Sequence, residues 1–133
     1  MKSLKYYITP GLLLGSRIPV IDNSGASMIK LTGVRNKKGV RGRVLAAGVG
    51  DMVLGSVIKG NLDVRKTVVY AVIVRQRKAY KRPDGIRVSF EENAAVVLKD
   101  IKGQPKGTQI KGVIAKEAAE RYPDIAKAAK IIV

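Results

Sequence analysis

The segment TVVYAVIVRQRKAYKRPDG, residues 67–85, contains an apolar stretch, a cationic stretch and a turn in that order. Its apolar part, residues 67–74, has no polar face, which is typical of a strand buried on both sides. At the other end Pro83 presets φ for a turn and Gly85 closes it. The segment therefore predicts a long antiparallel hairpin that joins 67–81 to 86–98, with its base in the core and its tip projecting.

Five cations and no acid lie between the apolar strand and the turn. They are Arg75, Arg77, Lys78, Lys81 and Arg82. Strand alternation predicts Arg75, Arg77 and Lys81 on one side of the arm, and the other two cations on the opposite side. An arm with unpaired charge on both sides is suited to insertion between phosphate backbones. The alternative interpretation is a charged ribbon that prevents edge-to-edge aggregation.

Further segments have the patterns of strands. Apolar residues occupy alternate positions in MIKLTGV (28–34) and in IRVSF (86–90). In the second segment, the residues expected to point inward are Ile86, Val88 and Phe90. Other strands are expected at 18–22, 52–60, 93–98 and 110–114. Five to six short strands separated by turn signals predict a mainly β fold, a small barrel that is closed or nearly closed.

Only the last twenty residues have a helical pattern. AKEAAER (115–121) is rich in helix formers, and Pro123 ends that helix and suits the first turn of the next. The apolar residues that then recur at helical spacing are Ile125, Ala128, Ala129 and Ile132. Two short C-terminal α-helices are therefore predicted, and the whole of 1–133 is expected to form a single domain.

The positive charge is concentrated in two segments. The chain has 26 Lys and Arg against 10 Asp and Glu, a net charge of +16. Residues 23–50 hold six cations and 64–83 hold seven, with no acid in either segment, so these 48 residues carry +13 of the total. Because an ordinary soluble surface mixes its signs, this segregation predicts a face that binds a polyanion.

The residues needed for most catalytic and metal-binding chemistry are missing. The chain has no His and no Cys, which removes the commonest general base, the usual nucleophile pairs and the thiolate metal ligands. The Gly-Val-Gly sequence at 48–50 lacks the third glycine of a dinucleotide loop and is expected to form a tight turn into a strand. DNSG (22–25) lacks the repeated acids of a calcium loop. The sequence therefore predicts a protein that is not an enzyme and has no metal or cofactor.

Aromatic and apolar residues limit the kind of polyanion. Proteins that bind single strands stack bases on exposed aromatic rings, whereas here only Tyr80 and Tyr6–Tyr7 are expected near the surface. Folded RNA, recognised through its backbone and shape, fits better. The chain has no apolar run long enough to span a membrane and no basic amphipathic helix, so a soluble, cytosolic protein without a membrane partner is expected.

The candidate RNA-binding residues are the cations of the two basic segments. They are Arg35, Lys37, Lys38, Arg41 and Arg43 in the first segment, and Arg75, Arg77, Lys78, Lys81 and Arg82 in the second. For 35–43 the alternative interpretation is a solvated, disordered loop.

Several stretches resemble one family in the same order along the chain. Residues 71–97 resemble the signature of the universal large-subunit ribosomal protein fourteen family. The shared pattern is AVIV, nine residues, DG, four residues, Phe90, two residues, Asn93, two residues and VV. The other similar stretches are IDNSGA (21–26), AAGVGDMV (46–53), VRQRKAYKRPDG (74–85) and KGTQIKGVIAKE (106–117). The N-terminal extension and the Gly-Val-Gly-Asp-Met form resemble the archaeal and eukaryotic branch.

The resemblance implies a fold and a set of partners. The fold would be a small five-stranded antiparallel barrel (18–114) with a projecting β-hairpin, followed by a short helical C-terminus (115–133). The function implied is that of a structural constituent of the cytoplasmic large ribosomal subunit that supports translation. Segments 35–43 and 75–82 would contact large-subunit ribosomal RNA near the interface with the small subunit. Its implied neighbours are ribosomal protein three, small-subunit RNA at an intersubunit bridge and an anti-association factor, with the helices at 115–130 facing proteins. The alternative is a free-standing barrel-fold RNA-binding protein or a translation-associated factor.

Overall fold

A computed structural model describes residues 7–35, 37 and 39–133. The strands in chain order are β1 (Leu12–Leu13), β2 (Arg17–Pro19), β3 (Ala26–Val34), β4 (Ala46–Ala47), β5 (Met52–Gly60), β6 (Val68–Arg75), β7 (Tyr80–Lys81), β8 (Arg87–Val88), β9 (Ala94–Leu98), β10 (Ile110–Ile114) and β11 (Ala129–Ile132). The two helices, α1 (Lys116–Arg121) and α2 (Pro123–Ala128), lie between β10 and β11.

Five strands form one antiparallel sheet in the order β2-β3-β5-β6-β9. The two edge strands of this sheet approach each other where Val20 bridges Ala95. The amide of Ile21 also donates to the carbonyl of Ala95 at 3.2 Å. The sheet therefore curls into a small barrel, and the mainly β, five-stranded prediction is confirmed.

The core lies inside this sheet and follows the apolar pattern of the strands. Ala71–Val74 of β6 and Ala94–Leu98 of β9 are buried, as their uninterrupted apolar sequences predict. In β3, Ile29 and Leu31 are buried on the predicted face. Ile29 also explains the glycine inside β5, since a Cβ at Gly55 would lie 2.9 Å from its terminal methyl group.

The hairpin that follows β6 has a ladder at its base and another near its tip. β6 pairs with β9 up to Arg75, and the ladder resumes where Tyr80 and Lys81 of β7 pair with β8. The expectation that Ile86 points inward is wrong, because this side chain is 58% exposed. Its carbonyl accepts from the amide of Arg82 at 2.9 Å, so Ile86 belongs to the turn and not to the strand.

The chain's last residues form a strand, although their apolar spacing predicts a helix. α2 begins at Pro123, as predicted, but it ends at Ala128, and Ala129–Ile132 pair in parallel with β10. The extension of the helical face to Ile132 is therefore wrong. The amide of Val133 donates to Ile114 at 2.9 Å, because β10 offers an open edge to the β-branched end of the chain.

Candidate nucleic-acid interface

Five of the ten predicted RNA-binding cations are exposed and form no salt bridge within the part of the chain that the structure describes. They are Arg41 and Arg43 in the loop, and Arg77, Lys78 and Lys81 in the arm. A cation that pairs with no acid of its own chain keeps its charge available to an external anion. These residues are called the free cations below.

The N-terminal strand brings the basic loop and the basic arm together. β1 pairs with β4, which directly follows the loop, and the amide of Gly11 donates to Ala47 at 3.0 Å. On its other side Gly11 lies against the arm, since a Cβ at this position would be 2.9 Å from Cβ of Lys78. Two segments that lie more than thirty residues apart in sequence thus flank one short strand.

A buried glutamine fixes this arrangement. Gln76 is fully buried, and its Nε2 donates to the carbonyls of Thr9 at 2.8 Å and Lys78 at 2.9 Å. Its Oε1 accepts from the amide of Val49 at 2.9 Å. Gln76 stands in a run of cations and has no distinctive sequence signal beyond its position, which is in phase with Val74. It joins the arm, the N-terminal segment and the turn before β5.

The turn at 48–51 uses its own amides within the protein. Gly48 donates to Oδ2 of Asp51 at 2.8 Å, and Gly50 donates to the carbonyl of Ile73 at 2.8 Å. Together with the bond from Val49 to Gln76, these contacts occupy the donors that a phosphate would need. The prediction of a tight turn into a strand is confirmed.

Four other predicted cations are held by groups of the protein. Arg35 donates to the carbonyl of Ile101 at 3.1 Å, and Lys37 pairs with Asp51 at 3.2 Å. Arg75 pairs with Glu92 at 2.8 Å and keeps only 12% of its side chain exposed. The fourth, Arg82, is described below. The tenth cation, Lys38, lies outside the described residues, as does Tyr6.

Arg82 belongs to a buried network with Tyr80 and Glu117. Glu117 is fully buried and accepts from Nε of Arg82 at 2.6 Å and from the Tyr80 hydroxyl at 2.7 Å. Arg82 also donates to the carbonyl of Val133 at 2.8 Å. The expectation of five unpaired cations on the arm is therefore wrong for Arg75 and Arg82, because acids distant in sequence reach both of them.

The electrostatics of this network follow from burial and pairing. Burial disfavours the charged form of Glu117, but the hydrogen bonds from Arg82 and Tyr80 outweigh burial and lower the pKa of this carboxyl below its usual value. The hydrogen bond to Glu117 raises the pKa of Arg82. Burial, followed by the contact with Glu117, raises the pKa of Tyr80. At neutral pH the network therefore contains a carboxylate, a guanidinium and a neutral phenol.

Tyr80 is not available to stack on a base. It was expected near the surface beside the arm, but it is 1% exposed. Tyr7, in contrast, is 76% exposed. Of the tyrosines expected near the surface, Tyr7 is thus the one that the described residues show to be exposed.

Cross-strand register shows a cation pair that the charge pattern did not reveal. Arg17 of β2 lies directly opposite Lys30 of β3, and both are exposed. Like charges directly opposite each other destabilise an antiparallel pair unless an anion screens them. The strand alternation of each residue was visible in the sequence, but their register was not.

Residues 7–35, 37 and 39–133 contain no group of three or more Asp, Glu, His or Cys side chains that could hold a metal ion. Within the same residues no helix is long and apolar enough to cross a membrane. A small barrel with a cationic loop and a cationic arm around one strand defines the class of small basic β-barrel proteins.

Comparison with known proteins identifies the family within this class. The model of the family "Ribosomal protein L14p/L23e" matches residues 11–133, and the chain belongs to that family. The Large ribosomal subunit protein uL14 of Halobacterium salinarum is 50% identical over 133 residues, which are 100% of both chains. The uL14 of Methanocella arvoryzae is 45% identical with the same coverage. That of Thermofilum pendens is 46% identical over 131 residues, 98% of this chain and 92% of its own.

Membership of the family confirms two of the predictions. The resemblance carried by residues 71–97 and the other matching stretches is confirmed, with archaeal relatives among the matches. The protein is a structural ribosomal protein and not an enzyme, as the family shows.

Proposed function

We propose that this chain is a structural component of the cytoplasmic large ribosomal subunit and holds large-subunit ribosomal RNA through its free cations. The observation that carries the proposal is the placement of Arg41, Arg43, Arg77, Lys78 and Lys81, exposed and unpaired on both sides of one strand. Relatives that match the full length of the chain are named as large-subunit proteins, which supports the assembly.

The rigid framework favours RNA contact over a merely solvated ribbon. Gln76 and the Glu117 network anchor the arm at two points, so little conformational entropy is lost when its cations bind phosphates. Arg35, Lys37, Arg75 and Arg82 act chiefly by positioning the segments that carry the free cations. Arg17 and Lys30 extend the positive surface along the barrel wall.

The proposal also includes partners other than large-subunit ribosomal RNA. The C-terminal strand exposes Ile131, Ile132 and Val133 by 46–53%. Apolar side chains are better suited to protein neighbours than to phosphates. This segment is the surface we propose for ribosomal protein three and for an anti-association factor, while small-subunit RNA at an intersubunit bridge would meet the basic surface.

Sedimentation tests the assembly. The protein is expected to stay with large subunits through a high-salt wash that removes loosely bound factors. Recovery of the whole protein in the soluble fraction would support the alternative of a free-standing RNA-binding protein and contradict the proposal.

The salt dependence of binding to large-subunit RNA tests the contacts. If five free cations engage phosphates, log affinity should fall by roughly four to five units per tenfold increase in salt. The triple variant Arg77→Ala, Lys78→Ala, Lys81→Ala should reduce that slope by about three, at an unchanged melting temperature.

A matched variant removes the same charge elsewhere. Lys111, Lys127 and Lys130 are also exposed, and their replacement by Ala is expected to change the slope much less. Equal reductions in the two triple variants would show that binding depends on net charge alone and not on the arm.

A further inference from the structure

An open groove lies between the N-terminal segment and the basic loop. It measures about 420 Å³, and the residues that shape it include Tyr7, Pro10, Lys37, Val40, Arg43 and Val44. This volume falls within the range of about 300–1,000 Å³ typical of small-ligand clefts. The groove is thus large enough for a group of several rings.

The walls of the groove are apolar and exposed. Tyr7 is 76% exposed, Val40 58% and Val44 59%. Single exposed apolar residues are common on protein surfaces, but a contiguous group around one concavity indicates a binding surface. Folding leaves these three side chains largely in water, so a ligand that covers them gains the burial that the fold does not provide.

Local hydrogen bonds hold the groove open. The amide of Arg43 donates to the carbonyl of Val40 at 2.9 Å, which closes a turn whose third residue, Gly42, has a φ of +76°. This turn places Val40 and Arg43 at the same rim. On the other side Nζ of Lys37 donates to the carbonyl of Ala46 at 3.0 Å. These bonds fix the loop side of the groove before any ligand arrives.

We propose that this groove binds one unpaired nucleotide of the RNA, with its base against Tyr7 and the valines and its phosphate at Arg43. The inference rests on the proposed function. A nucleotide combines a flat ring with an adjacent anion, which matches apolar walls beside cations. No acid lines the described part of the groove, so charge complementarity favours an anionic occupant.

Two RNA hairpins with the same loop and the same base pairs test the proposal, one with a fully paired stem and one with a single 2-aminopurine bulged from its stem. Tyr7→Ala should weaken binding of the bulged hairpin about tenfold or more, the effect of removing one stack of a base on an aromatic ring. Binding of the paired hairpin should not change. Tyr7→Phe keeps the ring and should restore the difference, and 2-aminopurine fluorescence should be quenched only by proteins that have the ring.

Leu62→Ala provides the matched control. Leu62 is 85% exposed in the connection between β5 and β6, so its replacement removes an exposed apolar side chain that does not line the groove. It should leave the affinity for both hairpins unchanged. A thermal melt of each variant reports whether the fold is intact.

The other outcomes separate the two levels of inference. If Tyr7→Ala weakens binding of both hairpins equally, or of neither, the nucleotide site is refuted while RNA binding by the protein stands. The groove would then be assigned to an apolar segment of a protein. If the unaltered protein binds neither hairpin with the expected salt dependence, the proposed function fails as well.

Discussion

The carboxylate of Glu117 should contribute strongly to stability, and Glu117→Gln measures how much. Glu117 is fully buried and receives charge-assisted bonds of 2.6 Å from Arg82 and 2.7 Å from Tyr80. Removing one partner of a buried ion pair costs about 3–5 kcal/mol, because the other charge stays buried without compensation. Gln keeps one acceptor oxygen, so we expect a loss at the lower end, about 3 kcal/mol.

Urea unfolding provides the measurement. The free energy of unfolding of a small protein falls by about 1–3 kcal/mol per molar urea. A loss of about 3 kcal/mol in that free energy therefore lowers the urea midpoint by about 1–3 M. The chain has five Tyr and no Trp, so tyrosine fluorescence and near-ultraviolet circular dichroism report the transition. Tyr80 itself lies in the network, so its spectroscopic signal should report the loss of the network directly.

The same network predicts a pH dependence with a definite sign. The pKa of Glu117 is lowered in the fold, so its contribution to stability is present above the unfolded value of about 4.3 and is lost as pH falls through the folded value. The difference in unfolding free energy between the unaltered protein and Glu117→Gln should therefore be constant near neutral pH. It should shrink once the pH falls below about 4.

Glu120→Gln is the control, because it removes an exposed carboxylate from the same helix. Glu120 lies one turn further along α1, is 49% exposed and pairs with Lys116 at 3.7 Å, so its loss should cost at most about 0.5 kcal/mol. Equal stability of the two variants, or a Glu117 effect that stays undiminished at low pH, would show that the buried carboxylate does not stabilise the fold.

Three further predictions concern single residues. Gln76→Leu removes the side-chain partner of one buried backbone amide and of two part-buried carbonyls, and it should lower the unfolding free energy by about 1–3 kcal/mol, with faster amide exchange at the turn before β5. Gly60→Ala places a Cβ 2.6 Å from a carbonyl oxygen at a φ of +150° and should cost about 1–3 kcal/mol in urea unfolding, whereas Gly39→Ala meets open space and should be neutral. Arg75→Ala should lower the melting temperature, because this side chain is largely buried, whereas Arg77→Ala should leave it unchanged and weaken RNA binding. Equal melting temperatures for these two variants would contradict the structural role of Arg75.

Local sequence patterns predicted most of the barrel. Ala71–Val74 and Ala94–Leu98 are buried strands because continuous apolar runs have no other place in a small β protein. The turn at 82–85 follows from the backbone restrictions of Pro83 and Gly85. These features depend on neighbours in the chain, and a single sequence contains that information.

The end of the chain shows where local pattern fails. Residues 129–132 fit a helical face by spacing, yet they form β11 because β10, about twenty residues earlier, offers an unpaired edge. Hydrogen bonds to a distant strand outweigh a weak helical preference. No window of sequence around Ile132 contains that edge.

The sequence by itself determined the class of the protein and the sign of its surface. Segregated charge, the lack of His and Cys and the apolar strands were sufficient to predict a basic β-barrel with a face suited to a polyanion, since each depends on composition or on local order. Only the tertiary structure decided which cations are free. Arg75 and Arg82 have partners 17 and 35 residues away, whereas Arg77, Lys78 and Lys81 have none among the described acids. Pairing between distant side chains depends on how the chain folds back on itself, and that information is absent from the local order of residues.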